Sequence, residues 1–150
     1  LQNKFAAFGV SLIKMICGSI AFFSLIFTVF AVGPALETRY WPVVSKVEII
    51  SIEAGVGDTT IVRAAFRKLR DCEYVGTAWY EGTRPDNFER VSMTVLREPG
   101  DTSSPSRPVG QQKAGPWVIG MPLDSLLNKS FAQLTHRCHP FWMTTTNFFP

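Results

Sequence analysis

The sequence predicts a mainly β protein, with one N-terminal transmembrane helix followed by an antiparallel β-sandwich of immunoglobulin-like type. Three observations predict it. The run Met15–Leu36 contains no charged residue. Short stretches alternating apolar and polar residues follow at turn-punctuated intervals. No convincing helical pattern separates those stretches, which argues against a parallel α/β sheet.

The apolar run, MICGSIAFFSLIFTVFAVGPAL, would be roughly 33 Å long as a helix, and about twenty such residues cross a bilayer core. Lys4 and Lys14 precede it with no acidic residue, whereas the other Lys and Arg residues are interleaved with all twelve Asp and Glu after Leu36. By the positive-inside rule the N-terminal arm is cytoplasmic and the C-terminal domain extracytoplasmic, on the periplasmic or extracellular side. Lys14 is expected to snorkel to the inner headgroups, and Tyr40 and Trp41 to sit at the outer interface. A cleaved signal peptide, with Gly33-Pro34-Ala35 as the processing site, is the rival reading; the apolar run exceeds an ordinary h-region.

The sequence divides into residues 1–36 as arm and transmembrane helix, 37–45 as a linker, and 46–150 as the β-sandwich with a C-terminal tail. Val47, Ile49 and Ser51 begin the first strand, and Gly55-Val56-Gly57-Asp58 is a turn. Val62, Ala64 and Phe66 alternate with Arg63, Ala65 and Arg67, giving an apolar inner face and a basic outer one. Tyr74 to Trp79 alternates again, Gly82–Asp86 is a turn, and Val91, Met93 and Val95 mark another strand. Residues Pro99–Pro108 are a polar loop. Trp117-Val118-Ile119, bounded by Gly115-Pro116 and Gly120, is a short strand. Asp124 caps a helical turn to Asn128. Phe131–His139 alternates, and Trp142–Phe149 is either a last strand or an extended tail.

Cys17 lies in the apolar run, leaving Cys72 and Cys138 as the one pairing open to an oxidising compartment. His136-Arg137-Cys138-His139 has the residue types of a metal or general-base site, but not a metal-ligand spacing. An enzyme with a site near His136 and His139 is the least favoured alternative. No nucleophile elbow, phosphate loop, zinc-protease or dinucleotide motif is present, so no catalytic, cofactor-binding or metal residue is assigned. The net charge of +3 is too small and too mixed for a nucleic-acid partner. The expected partners are the lipid bilayer and other membrane or assembly subunits, including copies of the chain itself. Arg63 and Arg67, on a basic face with Lys68, Arg70 and Arg90, and the apolar Trp142, Phe148 and Phe149 are the candidate partner contacts.

The motifs Arg70-Asp71-Cys72-Glu73-Tyr74-Val75-Gly76, Trp79-Tyr80, Val109-Gly110, Gly115-Pro116-Trp117 and His136-Arg137-Cys138-His139-Pro140 resemble those of small proteins, without assigned chemistry, encoded by phages and prophages of bacteria. The likeness covers about residues 60–147. It implies a hydrophobic N-terminal segment, a compact two-cysteine domain and a bacterial or viral envelope setting. The expected function is a non-catalytic, membrane-anchored structural, accessory or binding subunit. The alternative is a virion or envelope protein acting in cell penetration, exclusion or lysis.

Overall fold

The computed structural model describes residues 2–82, 87–97, 99 and 106–149, with side chains from Ser11 onward. One long helix, α1 (Gln2–Tyr40), leads into eight strands: β1 (Glu48–Ala54), β2 (Thr60–Lys68), β3 (Glu73–Glu81), β4 (Glu89–Val91), β5 (Met93–Val95), β6 (Gly110–Ile119), β7 (Ser130–Arg137) and β8 (Thr144–Phe148). A short helix, α2 (Leu123–Lys129), joins β6 to β7. The strands form two antiparallel sheets, β1-β2-β6-β5 and β4-β3-β7-β8.

Helix α1 continues through Pro34 to Tyr40, past the expected boundary at Leu36. Its apolar side chains are bare on all sides: Ile13, Phe23, Leu25 and Phe27 are each more than half exposed. Within the run, Ser19 Oγ donates to the Met15 carbonyl at 2.9 Å and Thr28 Oγ1 to the Ser24 carbonyl at 2.8 Å. These two hydroxyls are thus satisfied inside the helix.

The expected linker, 37–45, is part of the folded body. Val43 and Val44 are buried, and the Val43 carbonyl accepts the Leu69 amide at 2.8 Å. Ser45 exchanges hydrogen bonds with the backbone of Arg67. The alternation read in β2 holds, with Thr60, Val62, Ala64, Phe66 and Lys68 inward and Arg67 outward. Two apolar faces meet around Trp79, whose ring lies 6.0 Å from Trp117 and 5.5 Å from Phe148. The core continues through Val62, Ile119, Leu126 and Leu134.

Three sequence expectations within the domain change, and one alternative is decided. Val91, Met93 and Val95 belong to two strands, because the chain crosses at Ser92 from β4 in one sheet to β5 in the other. The strand at Trp117 begins at Gly110, since Gly115-Pro116 forms a bulge within β6 opposite β2 and does not end it. Gly115 has φ +93°, and a Cβ there would stand 2.6 Å from the Val62 carbonyl, so the bulge requires glycine. The α2 N-cap is Pro122, with Asp124 inside the first turn, where its charge favours the helix dipole. The tail resolves as the strand alternative, β8, paired with β7. The turn at Gly82–Asp86 and the loop Pro99–Pro108 lie largely outside the described residues.

Candidate functional site

The last turn of α1 is fastened to the β-domain through one carboxylate. Glu37 is 8 % exposed. Its Oε1 accepts from Arg70 Nη1 at 2.7 Å, and its Oε2 from Trp142 Nε1 at 2.6 Å, with His139 Nε2 3.0 Å away. Burial pushes the Glu37 carboxyl up, but the hydrogen bonds from Arg70, Trp142 and His139 outweigh it and hold the pKa at about 2. Arg70 also donates to the Trp41 carbonyl at 2.9 Å, and Thr38 Oγ1 to the Thr145 carbonyl at 3.2 Å. The Trp142 indole lies across Gly33, where a Cβ would come within 2.8 Å of the ring, and makes an edge contact with Phe30 at 5.8 Å. Charge-assisted hydrogen bonds and an aromatic lid therefore fix the helix end directly to the domain.

The Cys72–Cys138 disulfide stands at the same end. It joins the residue before β3 to the residue after β7, beside the strand pair Glu73 and Arg137. The chain-entropy model values a loop of this length at roughly 4 kcal/mol. The link sets Arg70 and His139, which flank the two cysteines, on opposite sides of Glu37.

The sequence-predicted contacts separate under this geometry. Phe148 is a correction: it is buried against Trp79 and Trp117 and is part of the core. Trp142 is half-buried and meets Glu37, Gly33 and Phe30 of the same chain. Phe149 stays exposed beside Phe131, in an outer aromatic group with Tyr80 and Phe88. Arg63 forms an ion pair with Glu53 at 3.1 Å, and Arg67 is exposed on the outer face of β2. The wider basic face does not assemble. Lys68 points into the core, Arg70 binds Glu37, and Arg90 lies in the other sheet. Lys14, Tyr40 and Trp41 are all exposed along α1 and its end.

The two histidines face different surroundings. His139 belongs to the Glu37 junction. His136 is 3 % exposed, packs edge-on against Tyr74 at 5.8 Å, and its Nδ1 has no partner among the described residues. Burial, and then the charge of Lys68, push its pKa down to about 4, so the ring is neutral at pH 7. Among the described residues no group of three His, Cys, Asp or Glu is placed to hold a metal.

Sequence reasoning missed a cavity of about 270 Å³ between the sheets. Phe66, Trp117 and Leu134 line its apolar side, and Lys68, Arg97 and Arg107 supply cations. The only sequence signal was Lys68 on the inward parity of an otherwise apolar strand. Comparison with protein-family models, curated proteins and solved structures finds no match, so the functional reading rests on the geometry.

Proposed function

We propose that the chain is a single-pass membrane protein whose β-domain lies on the extracytoplasmic side, and that it works as a non-catalytic structural or binding subunit of a membrane-associated assembly. The observation that carries this reading is the contrast within α1: an exposed apolar surface from Ser11 to Val29, then a last stretch met by Trp142 at Phe30 and Gly33 and locked to the domain through Glu37. The described helix Ser11–Tyr40 is long and apolar enough to cross a bilayer. Lipid is the proposed occupant of its surface because the exposed apolar residues run around the helix without a polar stripe. Lys14 then marks the inner headgroup layer, and Tyr40 with Trp41 the outer one.

The domain is read as an immunoglobulin-like sandwich. The order β1-β2-β6-β5 corresponds to strands A-B-E-D, and β3, β7 and β8 to C, F and G, with β4 as an added edge strand. Trp79 occupies the place of the buried strand-C tryptophan. The disulfide departs from that pattern, since it joins neighbours in one sheet and not the two sheets. Such a domain on a short, fixed junction holds a constant attitude to the membrane, which suits a subunit that presents surfaces to neighbours.

Expression in a bacterial host tests the reading. The chain should stay in the membrane pellet after alkaline extraction, and protease added outside should digest the β-domain but not an N-terminal tag. Mild detergent should release it as an assembly larger than a monomer. Release by alkali, or a monomer under every mild extraction, contradicts the proposal.

A further inference from the structure

We propose that the cavity between the two sheets binds a small organic anion: a carboxylate or similar acidic head on a compact apolar body. The inference stands on the cavity itself and does not depend on the membrane reading. Its volume, about 270 Å³, lies just below the usual range of small-molecule sites, which suits a compact ligand.

The cavity arises from strand lengths. On one side β4 covers β3 only at Trp79–Glu81, and β5 covers β6 only at Trp117–Ile119. The other halves of β3 and β6 have no strand neighbour on that side among the described residues. Tyr74 and Thr77 on β3, and Val95 and Leu96 at the end of β5, border the space left open.

Its chemistry is one-sided. Three cations line it, Lys68, Arg97 and Arg107, and no Asp or Glu among the described residues does. Lys68 is 2 % exposed, and a charge that deep is costly without a partner. Its Nζ donates to the Cys72 carbonyl at 2.8 Å and to the Arg107 carbonyl at 2.6 Å. An ammonium has three donors, so one remains. The nearest carboxylate, Asp71, is 4.0 Å away, beyond hydrogen-bond length, and its side chain is 92 % exposed. Neutral carbonyls thus hold a buried cation that, among the described residues, has no carboxylate within hydrogen-bond distance. His136, with its unpartnered Nδ1, lines the same cavity. Phe66, Trp117 and Leu134 offer the apolar body a surface that a bare inorganic ion would leave unused.

The test is calorimetric titration of 2-naphthoate into the full chain in phosphatidylcholine nanodiscs, with protein-free discs subtracted. The proposal expects saturable binding at one site, with neutral 2-naphthamide on the order of tenfold weaker. Ala114→Phe, which fills the cavity from β6, should abolish binding. Arg97→Gln, on the exposed rim and harmless to the fold, should weaken it about three- to tenfold. Near-UV circular dichroism and an intact Cys72–Cys138 bond establish that each variant is folded. Repeating the titration in discs containing phosphatidylglycerol separates two sources of the same chemistry. Competition assigns the site to a lipid headgroup, and unchanged affinity assigns it to a free carboxylate; both uphold an anion site. Heats equal to those of empty discs, equal binding of the amide, or folded Ala114→Phe and Arg97→Gln proteins that both bind as the parent does would overturn it.

Discussion

The two ends of the β-domain are built on opposite terms. At the end away from α1 the core is closed and its polar groups are internally satisfied. Helix α2 covers it with Leu126, Trp79 Nε1 donates to Ser130 Oγ at 2.9 Å, and Thr60 Oγ1 donates to the Met121 carbonyl at 2.8 Å. At the end beside α1 lie Glu37, Lys68 and His136, all buried, together with the disulfide and a cavity. One end is held by packing and neutral hydrogen bonds, the other by charge and a covalent link. The difference teaches that stability and interaction are segregated along this domain, with Glu37 and His136, whose pKa values are lowered, both at the end beside α1.

Removing the covalent link gives the largest expected effect. Cys72→Ala with Cys138→Ala should cost about 4 kcal/mol of stability, read as a fall in the thermal midpoint of the detergent-solubilised chain. A loss under about 1 kcal/mol would mean that charge alone holds that end. Leu126→Ala attacks the closed end and should cost about 3 kcal/mol, through lost burial and a cavity.

Glu37→Gln should cost about 2 kcal/mol at pH 7, by removing charge from three hydrogen bonds and leaving Arg70 with a weaker acceptor. The sign of its pH dependence follows from a carboxyl lowered from 4.5 to about 2 in the folded chain. Above pH 4.5 its contribution is complete; as pH falls toward 2 the unfolded chain takes up a proton first, and stability is lost. The Gln variant should lack that acid arm in a plot of unfolding midpoint against pH.

The smallest change at neutral pH is expected from His136→Phe, within about 1 kcal/mol, since the ring shape is kept and an unpartnered nitrogen is lost. Its effect should emerge on acidification. With the histidine lowered from 6.5 to about 4, the unfolded chain binds a proton between those values and the folded chain does not. The parent therefore loses stability as pH falls from 6.5 to 4, and the variant should lose less over that interval. An identical slope in both proteins would remove His136 from the account.

The sequence was most legible where one physical force acts alone. The apolar run, the inward face of β2 and the cysteine pair each follow from burial or compartment. It was least legible where a local signal was overridden by distant partners. The apolar run stops at Leu36, yet α1 continues to Tyr40, where Glu37 is held by Arg70, His139 and Trp142 from far along the chain. Gly115-Pro116 reads as a strand boundary, but the register with β2 absorbs it as a bulge. The tail with Trp142 and Phe148 reads equally as a last strand or as a partner contact, and the structure has the strand, with Phe148 in the core and Trp142 on Glu37. Only inward parity marked Lys68, and parity does not reveal a cavity.

The central claim is that Met15–Leu36 lies in hydrocarbon with the β-domain fixed at its outer end. Spin labels placed singly along this stretch in reconstituted bilayers measure it directly, by comparing collisions with oxygen and with a water-soluble nickel chelate. The account predicts oxygen access highest near Leu25, nickel access low throughout, and a rise in nickel access at Lys14 and again beyond Glu37. Uniform nickel access, or a stretch shielded from both reagents without a depth gradient, would contradict it.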